Sequence, residues 1–251
     1  MKDLRVFSPL NVLYLVIHGA LLIIGYLLTA SKSPLVFAIG TSLIAAGVTG
    51  WAVFVHIFIS EARQKKIRLF DELRIEAFFR SRGPSIKPEY DVRIARVCRH
   101  IDVLGFGQRA LVEDYLVKFP DWKKRASVRI LLLDPEYPVA ENSVASLRDH
   151  DEGDNGGDIA RDVRTFISQA GGLFNEQFQV RLYRCLPTVN LFRIDDDLFW
   201  GPYLIRRVSR NSPTFVVNSG GVLFTELMDH FETIWSSDSL SRKVPKEWLA
   251  R

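Results

Sequence analysis

The sequence predicts an α/β protein in two parts, a hairpin of two transmembrane helices followed by a cytosolic α/β domain with a mixed sheet. Three observations predict it. Residues 10–30 and 35–59 form two runs, of 21 and 25 residues, without a charged side chain, and only Ser31, Lys32, Ser33 and Pro34 separate them. Lys and Arg flank the pair on its outer sides, with Lys2 and Arg5 before it and Arg63, Lys65, Lys66 and Arg68 after it. Beyond residue 60, short aliphatic runs alternate with helix-patterned stretches, as strands and helices do around one sheet.

The apolar runs are long enough to span. A helix rises about 1.5 Å per residue, so each covers roughly 30 Å, the thickness of a bilayer's hydrocarbon core. A connection this short, with a proline that resists helix continuation, makes the helices antiparallel. A cleaved signal peptide would need a shorter apolar core before a soluble chain, whereas a second long run follows directly. A hairpin buried in a soluble core is the other rival. The basic flanks place both termini in the cytoplasm. Cys98 and Cys185 suit a reducing compartment, and their spacing suggests neither a disulfide framework nor a metal site.

Within the spans, Ala38, Ser42, Ala46 and Gly50 recur every four residues, a small-residue face on which the first helix or another protomer can pack closely. His18 and His56 are the titratable groups inside the runs. They read either as polar groups lining a pore or gate, since intramembrane ionisable residues are costly, or as residues satisfied locally. In the local reading His56 reaches interfacial water and a neutral His18 bonds a backbone carbonyl.

The expected domains are a hairpin over 1–60, an amphipathic connector and linker over 61–88, the cytosolic domain over 89–240 and a tail over 241–251. Residues 61–82 read as a charged helix with Ile67, Phe70, Leu73 and Ala77 on an apolar stripe, suited to packing, to a membrane surface or to a coiled-coil seam. Gly83-Pro84 ends it. The net charge of +4 is uneven, with eleven Lys/Arg against six Asp/Glu over 61–100 and seven acids against two arginines over 141–162. The basic excess lies beside the bilayer, where anionic headgroups attract it. No basic–aromatic interleaving accompanies it, so direct nucleic-acid binding is not expected.

In the second part, residues 101–107 form an apolar run closed by Gly105 and Gly107, and 108–118 look helical. Residues 128–135, Val-Arg-Ile-Leu-Leu-Leu-Asp-Pro, are the clearest strand, aliphatic throughout as a strand buried on both faces must be. Residues 141–157 read as an exposed acidic loop and 159–169 as a helix. Residues 179–184, 190–194 and 214–217 are further strands, and 222–236 a closing helix with Leu223, Phe224, Leu227, Phe231, Ile234 and Trp235 inward. His150, among Asp149, Asp151, Glu152 and Asp154, matches no metal-loop spacing. His100 and His230 have no catalytic partner nearby in sequence. No cofactor and no metal site is expected.

The segment order, Gly105-Phe106-Gly107, the strand over 128–135, Val180-Arg181-Leu182-Tyr183, Asn190 to Asp197, Gly201-Pro202-Tyr203 and Phe231 to Trp235, resembles one half of a phospholipase-D-like fold across about residues 92–236. Active members of that family carry H-x-K-x4-D. There an imidazole attacks phosphorus and a lysine holds the phosphate oxygens. Setting the aspartate at Asp197 puts Asn190 at the histidine position and Phe192 at the lysine position, and no shift to Asp195 or Asp196 restores either. The resemblance therefore implies a degenerate site with no catalytic residues. Arg193, Asp195 and Asp197, with Arg206, Arg207 and Arg210 in the following loop, lie where the family's phosphate site would open. They read either as a retained site for a phosphorylated or nucleotide ligand, or as arginines that pair with nearby acids and hold the loop. A magnesium site at the three aspartates is disfavoured, because consecutive residues of a strand face opposite ways.

The arrangement of hairpin, connector and degenerate domain is also similar to small two-span effectors of bacterial antiviral defence. That likeness implies a multi-pass protein of the bacterial inner membrane. Its partners would be the lipid bilayer, further copies of itself and a soluble protein encoded nearby. Two other classes stay open, a membrane-bound phosphodiesterase or phospholipid-processing enzyme, and a passive anchor for a soluble partner.

Overall fold

A computed structural model describes residues 9–153 and 157–249, and the chain divides into two compact units, 1–70 and 71–251.

In the first unit, helix α1 spans Pro9–Thr29, and α2 begins at Pro34 and runs to Leu73. Both contain stretches long and apolar enough to cross a membrane, Asn11–Thr29 and Pro34–Ile57, of which only 6% and 17% is buried. Outward-facing Val16, Ile23, Leu27, Leu35 and Val48 make an apolar surface that water disfavours and a lipid core accepts. The helices meet through glycines. A Cβ on Gly25 would come within 2.8 Å of the Gly40 carbonyl oxygen, one on Gly47 within 2.7 Å of the Leu22 side chain, and one on Gly50 would collide with the His18 ring. The face of α2 that meets α1 is thus Gly40, Gly47 and Gly50, and packing of the four-residue series on another protomer is untouched by this. Ala38, Ser42 and Ala46 are exposed, and of that series Gly50 alone faces α1. The glycines win because they let two backbones touch, which an alanine Cβ forbids here.

The second unit is built on an eight-stranded mixed sheet among the described residues, ordered β1-β7-β6-β5-β2-β3-β4-β8. Its strands are β1 (Ile75–Phe79), β2 (His100–Gly105), β3 (Ser127–Leu133), β4 (Phe178–Tyr183), β5 (Val189–Ile194), β6 (Asp197–Pro202), β7 (Thr214–Asn218) and β8 (Ser241–Lys243). Only β2-β3-β4 run parallel. β3 sits centrally, and Ile130 to Leu133 are fully buried, as its unbroken aliphatic sequence requires. Helices α3 (Lys87–Ile94), α4 (Arg109–Tyr115), α5 (Phe119–Arg125), α6 (Val144–Glu152) and α7 (Asp158–Ala170) precede β5, and α8 (Val222–Ser236) follows β7. Phe119, Trp122, Phe166 and Phe178 form an aromatic centre beside β3, while α8 covers the other face with Met228, Phe231 and Ile234 buried.

Three stretches differ from the sequence expectation. The connector helix stops at Leu73, not Arg82: Arg74 adopts φ 50°, a left-handed turn that ends a helix. Ile75, Ala77 and Phe79 then point inward at period two, and the strand they form pairs with β7. Residues 141–157 are not one open loop, because Ser143 Oγ accepts from Ser146 N at 3.1 Å and caps α6. Asp149 is buried and accepts from Gly157 N at 2.8 Å. Asp154 lies outside the described residues. Finally, residues 241–243 are not tail but an antiparallel edge strand on β4.

Candidate functional site

Strands β5 and β6 make an antiparallel hairpin in which Asn190 faces Gly201 at one end and Ile194 faces Asp197 at the other. The hairpin separates the residues the sequence groups together.

At the far end, Asp195 and Asp196 form the turn rather than part of a strand. Asp195 holds φ 51°, a conformation aspartate tolerates better than most residues. Its carboxylate accepts backbone N–H bonds from Cys98 (3.0 Å), Arg99 (2.9 Å) and His100 (2.8 Å). Burial alone would raise its pKa, and these donors outweigh that, leaving it below the ordinary carboxylate value. Asp196 pairs with Arg99. Asp197 accepts from Arg93 Nε at 2.8 Å and from Asn218. All three carboxylates are engaged in holding the turn.

Arg193 points to the α8 side of the sheet. It donates to Asp102 at 3.1 Å and to the Asp195 carbonyl at 2.7 Å, with Phe224 over its guanidinium. Asp102 is 1% exposed and also accepts from Arg129 Nε at 2.7 Å, and Arg129 forks onto Glu232 of α8. This is a charge network beneath α8, buried at Asp102 and open to solvent at Glu232.

At the near end, Asn190 and Phe192 point to the opposite face, toward α3 and α4. There they line a cavity of about 440 Å³ with Arg82, Lys87, Tyr90, Gln108, Leu111, Asp114, Tyr115 and Arg210 among its walls. Each wall has an identifiable origin. Gly105 ends β2 with its α-carbon bare, and a Cβ there would strike the Gln108 amide and lie 3.3 Å from the Tyr203 hydroxyl. Gln108 holds φ 55° at the start of α4, which turns its side chain back over the strand end. Tyr90 of α3 packs on Phe192 and Phe199 with ring centres 4.9 and 4.6 Å away. Lys87 pairs with Asp114. Arg82 joins the segment after β1 to the 203–211 loop, its N–H donating to the Arg210 carbonyl at 2.9 Å and its guanidinium to the Ser209 carbonyl at 3.2 Å. Burial pushes the Tyr90 hydroxyl up to about 12, and Arg82 nearby tempers the rise. Tyr203, stacked on Phe106 at 3.9 Å, is pushed up to about 12 for the same reasons.

Three polar atoms of its lining residues are buried without a hydrogen-bond partner, Asn190 Oδ1, Arg82 Nε and the Tyr115 hydroxyl. None of the chain's five histidines is among its lining residues. Arg206 and Arg207 are exposed on the same loop outside the cavity, and their backbone groups bond Asp151 and Arg148 of α6. Of the six expected ligand-binding residues, only Arg210 lines the cavity. Lys87 was hidden because residues 83–88 read as a linker, and Arg82 because it closed the expected connector helix.

In the first unit, His18 Nδ1 lies 2.8 Å from the Tyr14 carbonyl oxygen, its ring stacks on Tyr14 at 4.0 Å, and Tyr14 donates to the Gly50 carbonyl at 3.1 Å. His56 is exposed. Among the described residues no group of three or more His, Cys, Asp or Glu is placed to share a metal ion.

No protein-family model matches the chain, and no curated protein matches it. Among solved structures it is similar to TrmBL2, an archaeal chromatin protein whose structure shows a novel mode of DNA binding. That match has 12% identity, covers 81% of this chain and 70% of that one, and has a TM-score of 0.42. It is also similar to a phosphatidylserine synthase from Haemophilus influenzae Rd KW20, at 12% identity over 66% of this chain and 38% of that one, with a TM-score of 0.42. These are distant likenesses of chain course, and neither protein's activity passes to this one through them.

Proposed function

We propose that this chain is a membrane-anchored, non-enzymatic effector: a degenerate phospholipase-D-like domain binds an anionic ligand and controls a two-helix hairpin that disrupts the bacterial inner membrane in antiviral, abortive-infection defence. One observation supports it above the others. Asn190 and Phe192 stand at the positions where phosphodiester cleavage would need an imidazole and a cation, yet they line a cavity that still has Arg82, Lys87 and Arg210 on its walls. An amide cannot form the phosphoryl-enzyme bond, and a phenyl ring supplies no charge to a phosphate. What remains can bind and cannot cut. Ligand occupancy acts by favouring one of two states of the chain, and the hairpin reports which.

The test is inner-membrane potential in cells expressing the chain without its neighbours. Depolarisation is expected, and Gly50→Arg, which drives a charge into the α1–α2 contact, abolishes it. Unchanged potential on full expression under an authentic trigger would defeat the effector reading. Turnover of a phosphodiester by the purified protein, lost in Asn190→Ala, would establish the enzyme in its place.

A further inference from the structure

The cavity beside Asn190 is graded from mouth to floor. Arg210 is exposed and the Lys87 side chain 43% exposed, whereas Asn190 is 4% exposed and Ile86, Leu111, Tyr115, Leu191 and Phe192 are all buried. Cations therefore ring the opening and apolar and aromatic groups make the interior. Three cations, Arg82, Lys87 and Arg210, face one carboxylate, Asp114, so the lining carries a positive excess. Among the lining residues one acceptor, Asn190 Oδ1, has no donor, one donor, Arg82 Nε, has no acceptor, and the Tyr115 hydroxyl has neither. Buried polar atoms are rarely left this way unless something absent completes them.

We propose that the cavity takes a nucleoside phosphate, its phosphate held at the mouth by Arg82 and Arg210 and its base lodged inward with an N–H donated to Asn190 Oδ1. This rests on the receptor reading above and names its ligand. The phosphate oxygens meet the unpaired Arg82 Nε–H and the Arg210 fork, the geometry guanidinium groups serve best. The flat base meets Tyr90 and Phe192. At about 440 Å³ the space falls within the usual range of small-molecule sites, about 300–1,000 Å³. A phospholipid shares the phosphate chemistry, but its acyl chains carry no donor for Asn190. Inorganic phosphate would fill the mouth and leave the interior empty.

The experiment is calorimetric titration of the full chain in detergent with AMP, ADP and ATP, with inorganic phosphate, and with phosphatidic acid vesicles. Expected is nucleotide binding that falls about tenfold or more in Arg210→Ala, the loss of one charge-assisted contact. Asn190→Leu and the milder Asn190→Ser should weaken nucleotide binding in that order while leaving the weak affinity for inorganic phosphate unchanged. Thermal melting of each variant shows that it is folded. Tight binding of phosphatidic acid with none of the nucleotides would overturn the ligand named here and leave the receptor reading intact. Nucleotide binding indifferent to all three substitutions would place the site elsewhere and overturn the proposal. No binding by any of the compounds, in a chain that still depolarises membranes, would overturn it too. Loss of the depolarisation itself belongs to the effector reading instead.

Discussion

Asp195 shows how much one side chain can hold. It closes the β5–β6 turn in a left-handed conformation and gathers three consecutive backbone N–H groups from the segment entering β2. Asp195→Ala should cost about 2–3 kcal/mol, since it orphans donors that a charged acceptor had satisfied, and Asp195→Asn less, because one acceptor oxygen survives. Urea denaturation of the two variants checks the order. The pH dependence follows from the same carboxylate. Its native pKa is depressed, as is that of Asp134, where burial is outweighed by bonds from Arg242 and Arg184. Their stabilisation is whole above the unfolded carboxylate value of about 3.9 and is lost as pH falls through the lower native values. Melting temperature should thus hold level from pH 7 to about 5 and drop below about 4. Asp102→Ala leaves Arg129 and Arg193 facing each other beneath α8, and a loss of roughly 3 kcal/mol or more is expected.

At the scale of elements, the sequence was most legible where one signal acts alone. The aliphatic run of β3, the glycine-closed end of β2 and the amphipathic pattern of α8 stand where periodicity put them. The boundary between α2 and β1 was not legible, because Leu73 and Ala77 fit a helical stripe while Ile75, Ala77 and Phe79 fit a strand. Pairing with β7 decided between them, and no local pattern carries that information. The aspartates were misread for a related reason: a turn without glycine at its left-handed position looks like continuous strand. In the hairpin, the four-residue spacing was visible, but the face that packs was set by which positions lack a Cβ. Gly40→Leu should therefore separate α1 from α2, since its side chain meets the Gly25 carbonyl and the Thr29 backbone nitrogen rather than a movable side chain. Ala46→Leu should be tolerated. Thermal melting in detergent, followed by helical circular dichroism, distinguishes the two.

For the whole molecule, the claim that can be tested most simply is its solvent. With most of two apolar stretches facing outward, the chain should stay in the membrane pellet after alkaline carbonate extraction and leave it only with detergent. Release by carbonate alone would contradict the spanning assignment. The candidate site was less legible than this partition, because its walls come from residues 82–90, 108–115, 190–192 and the 203–211 loop. Only the folded sheet brings those four stretches together, and Asn190 with Arg210 were the parts a motif comparison could reach.

The β5–β6 ribbon, anchored by carboxylates at one tip and bordering the cavity at the other, also sorts the effects of random mutation. Lesions at Asp195 or Asp197 should lower the amount of protein a cell accumulates. On the effector reading proposed above, lesions at Asn190, at the ribbon's other end, should leave abundance normal and silence the response. A saturation library scored once for expression and once for toxicity would then split this ribbon of a few residues into two phenotypic classes, giving the site a genetic outline before any ligand is in hand.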